Sequence, residues 1–81
     1  MENLENYYLH EFELFNGEFY IKFNIIDINV EKMVILLAVS NAGKISVIEY
    51  DLLLDKDNKL YFQYGIEYTK IKIEDFEKIE D

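Results

Sequence analysis

Few short signals constrain a chain as tightly as an Asn-Gly pair set between two alternating runs, and residues 10–23, HEFELFNGEFYIKF, contain one. Asn and Gly tolerate positive φ, so Asn16-Gly17 predicts a two-residue type I′ turn closing a β-hairpin. Such a turn sets the register. It places Phe15 opposite Glu18, Leu14 opposite Phe19, Glu13 opposite Tyr20, Phe12 opposite Ile21, Glu11 opposite Lys22, His10 opposite Phe23 and Tyr8 opposite Ile25. One face is then apolar. The other carries Glu11, Glu13 and Tyr20, with Glu11 and Lys22 as a cross-strand ion pair. Glu18 stands at the turn mouth.

The rest of the chain reads as more sheet. After a break at residues 29–32 (NVEK), the run MVILLAV (33–39) is apolar on both parities, which predicts a central strand covered on both sides. SNAGK (40–44) reads as a three-residue turn with Gly43 left-handed and a bulge. The returning strand ISVIEYDLLL (45–54) is then expected to set Leu37 against Val47, Leu36 against Ile48 and Val34 against Tyr50. DKDNK (55–59) is a polar turn, LYFQY (60–64) a strand, Gly65 a bulge or bend, and residues 67–73 another alternating run. Ile73, Phe76 and Ile79 fall three apart, which predicts a short C-terminal helix with one apolar stripe. The expected fold is mainly β: an antiparallel meander of five to six strands, able to curl into a half-barrel, with that helix packed on it. Residues 1–81 form a single compact acidic domain, too short for two.

Composition bounds the function. The 81 residues are 51% hydrophobic and 16% aromatic, enough for a packed core in a short chain. The net charge is −9, and every cation is a lysine. Such a chain is repelled by nucleic acid and anionic membranes and drawn to basic surfaces. Lys70 and Lys72 share a face but make no basic stripe. With no cysteine there is no disulfide, zinc-thiolate site or cysteine nucleophile. The start, MENLENYY, lacks the basic and apolar regions of a signal peptide, and no apolar run is long enough to span a bilayer, so a cytoplasmic location is expected. The absence of proline and the wealth of Ile, Lys, Asn, Tyr and Phe match AT-rich coding, as in a low-GC bacterium or its phage.

No constellation predicts an enzyme. The single histidine, His10, falls on the core face of the hairpin, and the only serines are Ser40 and Ser46. A calcium loop counted from Asp55 fails at its fifth, sixth and twelfth positions, Lys59, Leu60 and Ile66. The three glycines are isolated, so no phosphate loop is present. No catalytic residue, metal ligand or cofactor is therefore expected.

The acids, by contrast, are segregated. Glu11, Glu13 and Glu18 precede the first lysine, and Glu74, Asp75, Glu77, Glu80 and Asp81 crowd the C-terminus with only Lys78 among them. If the C-terminal segment packs beside the hairpin, the two groups fuse into one negative surface with Tyr20 embedded in it, a partner-binding patch for a basic groove.

In size, charge, its Tyr/Glu hairpin EFELFNGEFYIKF and its acidic tail IEDFEKIED, the chain resembles small acidic phage-encoded inhibitors of the anti-CRISPR and nucleic-acid-mimic type. The resemblance implies a non-enzymatic protein that blocks a nucleic-acid-handling protein, such as a CRISPR effector or another defence nuclease, inside the host bacterial cell. The alternative is a small structural or assembly subunit that homodimerises, or docks into a larger complex, through a sheet edge or apolar patch.

Overall fold

The computed structural model describes residues 10–79. Among the described residues, eight antiparallel strands form two sheets: β1 (His10–Phe15), β2 (Tyr20–Asn29), β3 (Val34–Asn41), β4 (Lys44–Asp51), β5 (Leu53–Leu54), β6 (Leu60–Tyr64), β7 (Thr69–Lys72) and β8 (Glu77–Lys78). The larger sheet has the order β4-β3-β2-β1-β8, and the smaller one β5-β6-β7. The domain is mainly β, as expected, and the five-stranded sheet stays open rather than closing into a barrel.

Alternation along β2 and β3 builds the core. Ile21, Phe23, Ile25 and Ile28 point inward from β2, and Ile35, Leu37 and Val39 from β3. Ile25 and Ile28 share a face despite their odd spacing because a β-bulge falls between Ile25 and Asp27 and absorbs one residue. The small sheet covers this face with Phe62 and Ile71, joined by Leu52, Ile73 and Phe76. Phe62 sits between the layers, with ring centroids 5.9 Å from Phe23, 5.2 Å from Tyr50 and 6.3 Å from Phe76. Edge-on and offset rings of this kind add to the area they bury.

The first hairpin forms with a wider loop than a type I′ turn. Only Gly17 has positive φ, at 102°. The Asn16 side chain turns forward, and its Oδ1 accepts the N–H groups of Glu18 (2.9 Å) and Phe19 (3.1 Å). Asn16 N–H donates to the Phe19 carbonyl at 3.1 Å. Strand pairing therefore begins at Phe15↔Tyr20 and continues Leu14↔Ile21, Glu13↔Lys22, Phe12↔Phe23 and Glu11↔Asn24. This register is two residues from the expected one, so every side chain keeps its face. The expected pairing of Tyr8 with Ile25 lies outside the described residues.

The second hairpin departs by one residue, and there the faces change. Ala42 and Gly43 both have positive φ, 53° and 82°, so the type I′ geometry occurs here instead of a bulged three-residue turn. Leu37 lies opposite Ile48 and Ala38 opposite Val47. Ile48 and Tyr50 thus take the inner face, while Ile45 and Val47 point outward. The run 45–54 is not one strand. It ends as β4 at Asp51, buries Leu52, whose N–H donates to the Met33 carbonyl at 2.8 Å, and crosses into the small sheet as β5. β3 is covered on one face only: Val34, Leu36 and Ala38 are half-exposed, because the small sheet forms a second layer on the inner side alone.

The expected C-terminal helix shrinks to one 3-10 turn, Ile73–Asp75, followed by β8. Spacing of three suits a 3-10 turn as well as an α-helix, and it suffices to bury both Ile73 and Phe76.

Candidate functional site: an acidic edge

β8 pairs with β1, with His10 opposite Lys78 and Glu11 opposite Glu77. The C-terminal segment therefore packs beside the hairpin, and of its described acids Glu77 joins Glu11 and Glu13 at this edge. Directly opposed residues project from the same side of a sheet, so Glu77, Glu11 and Glu13 share the outer face. Lys22 is the cation among them. Its Nζ lies 3.5 Å from Glu11 Oε2, diagonal to the Glu13↔Lys22 pair, so the expected Glu11–Lys22 ion pair forms across the shifted register. Glu13 and Glu77 are exposed.

The remaining residues distribute around this core. Tyr20 is on the same outer face, 62% exposed, with its ring 5.0 Å from that of Phe15, itself 55% exposed. Phe15 is absent from the sequence-derived set; the register shift makes it Tyr20's partner. Glu18 is exposed in the loop beside them. Glu74 belongs elsewhere, on the 3-10 turn, held by Lys59 at 3.6 Å and Lys72 at 3.9 Å. Asp75 is exposed on that turn. Glu80 and Asp81 lie outside the described residues. The structure thus groups Glu11, Glu13, Glu77 and Tyr20, leaves Glu18 and Asp75 at the margins, and draws Glu74 into a neutralising cluster.

Two ionisable groups elsewhere are perturbed, and both serve the fold. The carboxylate of Asp55 is held below its ordinary value of 3.8, chiefly by the Lys59 N–H, with help from the Asp57 N–H and Lys70, against opposing desolvation. Its Oδ1 accepts both N–H groups, at 3.0 and 2.9 Å, and Lys70 Nζ lies 3.5 Å from Oδ2. This is the polar turn expected of residues 55–59. Burial, then the neighbouring Tyr64, pushes the Tyr50 hydroxyl above its ordinary value of 10.0.

Half-buried His10 lies on β1, while Ser40 and Ser46 lie on β3 and β4, two and three strands away, roughly 10 and 15 Å across the sheet. Among the described residues, no three His, Asp or Glu side chains cluster to hold a metal, and no helix is long and apolar enough to cross a membrane. No protein-family model, curated protein or solved structure matches the chain.

Proposed function

We propose that the protein is a non-enzymatic binding inhibitor that docks its acidic outer face on the basic groove of a nucleic-acid-handling protein in a bacterial cytoplasm, such as a CRISPR effector or another defence nuclease. The observation that carries this reading is the pairing of Glu77 opposite Glu11, beside Glu13. Like charges directly opposed across strands destabilise a sheet, so this edge breaks a local rule of folding. Such breaks belong at sites kept for function.

The geometry suits a cationic partner. Among the described residues, three carboxylates share one face with only Lys22 between them, which offers closely spaced negative charge. The Tyr20–Phe15 pair at the loop end gives that charge an apolar anchor of the kind found in interface cores. Electrostatic steering then governs encounter, and affinity falls as salt rises.

The experiment is a competition assay. Immobilised protein, wild type or E11Q/E13Q/E77Q, is incubated with nuclease-treated bacterial lysate and eluted with a salt gradient or with duplex DNA. The expected result is a DNA-binding protein that the wild type captures, that salt and duplex DNA both displace, and that the triple variant fails to hold. Equal capture by the triple variant, or a partner that binds DNA and this protein together, refutes the reading.

A further inference from the structure

The opposite edge of the large sheet has a different chemistry. Among the described residues, four strands stand at sheet edges. β8 and β5 have two residues each, and β7 has four, including Lys70 and Lys72. Short strands and lysines are how proteins blunt an edge against further pairing. β4 has eight residues, pairs continuously with β3 from Asp51 to Lys44, and contains neither proline nor bulge. Its side chains are unusually bare for their type: Ile45 is 74% exposed and Val47 62%.

The backbone of β4 is equally open. A two-residue turn makes Asn41 and Lys44 the first hydrogen-bonded pair, and hydrogen-bonded pairs then alternate along the ladder. Ser46, Ile48 and Tyr50 therefore bond to β3. The continuation of the same pattern is seen where Leu52 N–H reaches the Met33 carbonyl. Ile45, Val47, Glu49 and Asp51 aim their N–H and C=O groups away from β3, along the free edge.

We propose that this edge binds a second copy of the chain, β4 against β4 in antiparallel fashion, joining two five-stranded sheets about a two-fold axis at Val47. Charge selects this occupant. The chain carries −9, which repels a second copy almost everywhere, and the β8 edge concentrates that charge. β4 is the near-neutral edge, and its charges are polarised: Lys44 at one end, Glu49 and Asp51 at the other. Antiparallel self-pairing brings the Lys44 end of each copy to the Glu49–Asp51 end of the other, twice by symmetry, with Lys44 on the inner face and the two acids on the outer.

The backbone selects the register. Residues opposed across a strand pair project from the same side, so outward-bonding residues must pair with one another. With Val47 on the axis, Val47 faces Val47, Ile45 faces Glu49 and Lys44 faces Tyr50 of the second copy. About six backbone hydrogen bonds close, and Ala38 and Val47 of both copies form one apolar band on the outer face. Centring on Ile48 would set both Glu49 and Asp51 against apolar side chains and leave Lys44 outside the overlap. Centring on Ser46 would shorten the overlap to five residues, 44–48. A strand of this length spans about 27 Å, so the interface falls in the small, transient class, below about 1,200 Å². Repulsion between two chains of −9 exceeds the attraction of one lysine at each end of the paired strands, so salt strengthens the pair, the reverse of the acidic face.

The natural absence of cysteine supplies the test. Val47→Cys places two thiols on hydrogen-bonded partners with Cα atoms about 5.5 Å apart, within disulfide reach. Ile45→Cys and Glu49→Cys place each thiol four residues from its symmetry mate, roughly 13 Å away. Sedimentation of the wild type up to about 1 mM, at low and high salt, should show a monomer–dimer equilibrium that shifts to dimer with salt. V47C should cross-link at least about tenfold faster than I45C or E49C under mild oxidation. V47K should sediment as a monomer with an unchanged circular dichroism spectrum. A wild type that stays monomeric throughout, equal cross-linking of the three variants, faster cross-linking at Ser46→Cys or Ile48→Cys, or a dimer that survives V47K would each overturn the proposal.

Discussion

Removing one carboxylate from the acidic edge should make the protein more stable and a poorer binder. Glu77 is exposed and lies opposite Glu11. Opposed Cα atoms are about 4.5–5.5 Å apart. Glu11 is half-buried; two solvated charges about 6 Å apart repel by about 0.7 kcal/mol in bulk water, and cross-strand charge pairs fall at about 0.2–1 kcal/mol. Glu77→Gln should therefore stabilise by about 0.5 kcal/mol, which for a chain of this size is about 2–4 °C in melting temperature. Glu11→Gln is a poor single test, since it also breaks the ion pair with Lys22. The double-mutant cycle separates the two effects. Glu77→Gln should stabilise when Glu11 is present and do nothing once Glu11 is Gln, by urea midpoint at low salt. At about 1 M salt, where the Debye length is near 3 Å, the coupling should vanish. Equal stabilisation in both backgrounds, or stabilisation that survives high salt, would show that the opposed carboxylates are not its source.

Other perturbations test the fold that positions this edge. Phe62→Ala empties the contact between the layers and should cost about 3–5 kcal/mol, a large share of the roughly 4–12 kcal/mol that a chain this long holds; Phe62→Leu should cost under about 1.5 kcal/mol, and equal urea midpoints for the two would deny Phe62 its interlayer role. Asn16→Ala should cost about 0.5–1.5 kcal/mol by removing the acceptor for the Glu18 and Phe19 N–H groups, while Asn16→Asp keeps that acceptor and should hold the wild-type midpoint. Asp55 has a depressed folded-state value, so its contribution is full above its ordinary value of 3.8 and is lost as pH falls through the lower folded value. Asp55→Asn should flatten the acid limb of stability below about pH 4, and superimposed acid limbs would contradict the geometry of that turn.

The alternation of the hairpin was legible because parity survives a two-residue shift. The turn chemistry was not. Asn16 carries an acceptor that can bond forward to Glu18 and Phe19, and this competes with the left-handed conformation a type I′ turn needs. Ala42 has no such alternative. Its positive φ is held by the matched eight-residue strands on either side, at a steric cost of about 1–2 kcal/mol. No local propensity predicts alanine there. The consequence was large, because the one-residue difference at this turn carries Ile45 and Val47 from the inner face to the outer. The apolar edge was hidden in the sequence for that reason alone.

The acidic edge was legible in composition but not in placement. Segregated acids can be counted in the chain, yet whether they converge depends on where the C-terminal segment docks, and that is decided by an apolar residue. Phe76 seats against Phe12 at 5.5 Å and Phe62 at 6.3 Å. Its backbone is extended, with ψ 132°, which ends the 3-10 turn and launches β8 along β1. Burying one aromatic ring is worth about 1.5–3 kcal/mol, more than the repulsion between Glu77 and Glu11. The core therefore forces two carboxylates together that electrostatics alone would separate. The same sheet carries near-neutral β4 three strands from β1, so the proposed basic partner and the proposed second copy of the chain would meet different edges, and salt should move the two equilibria in opposite directions.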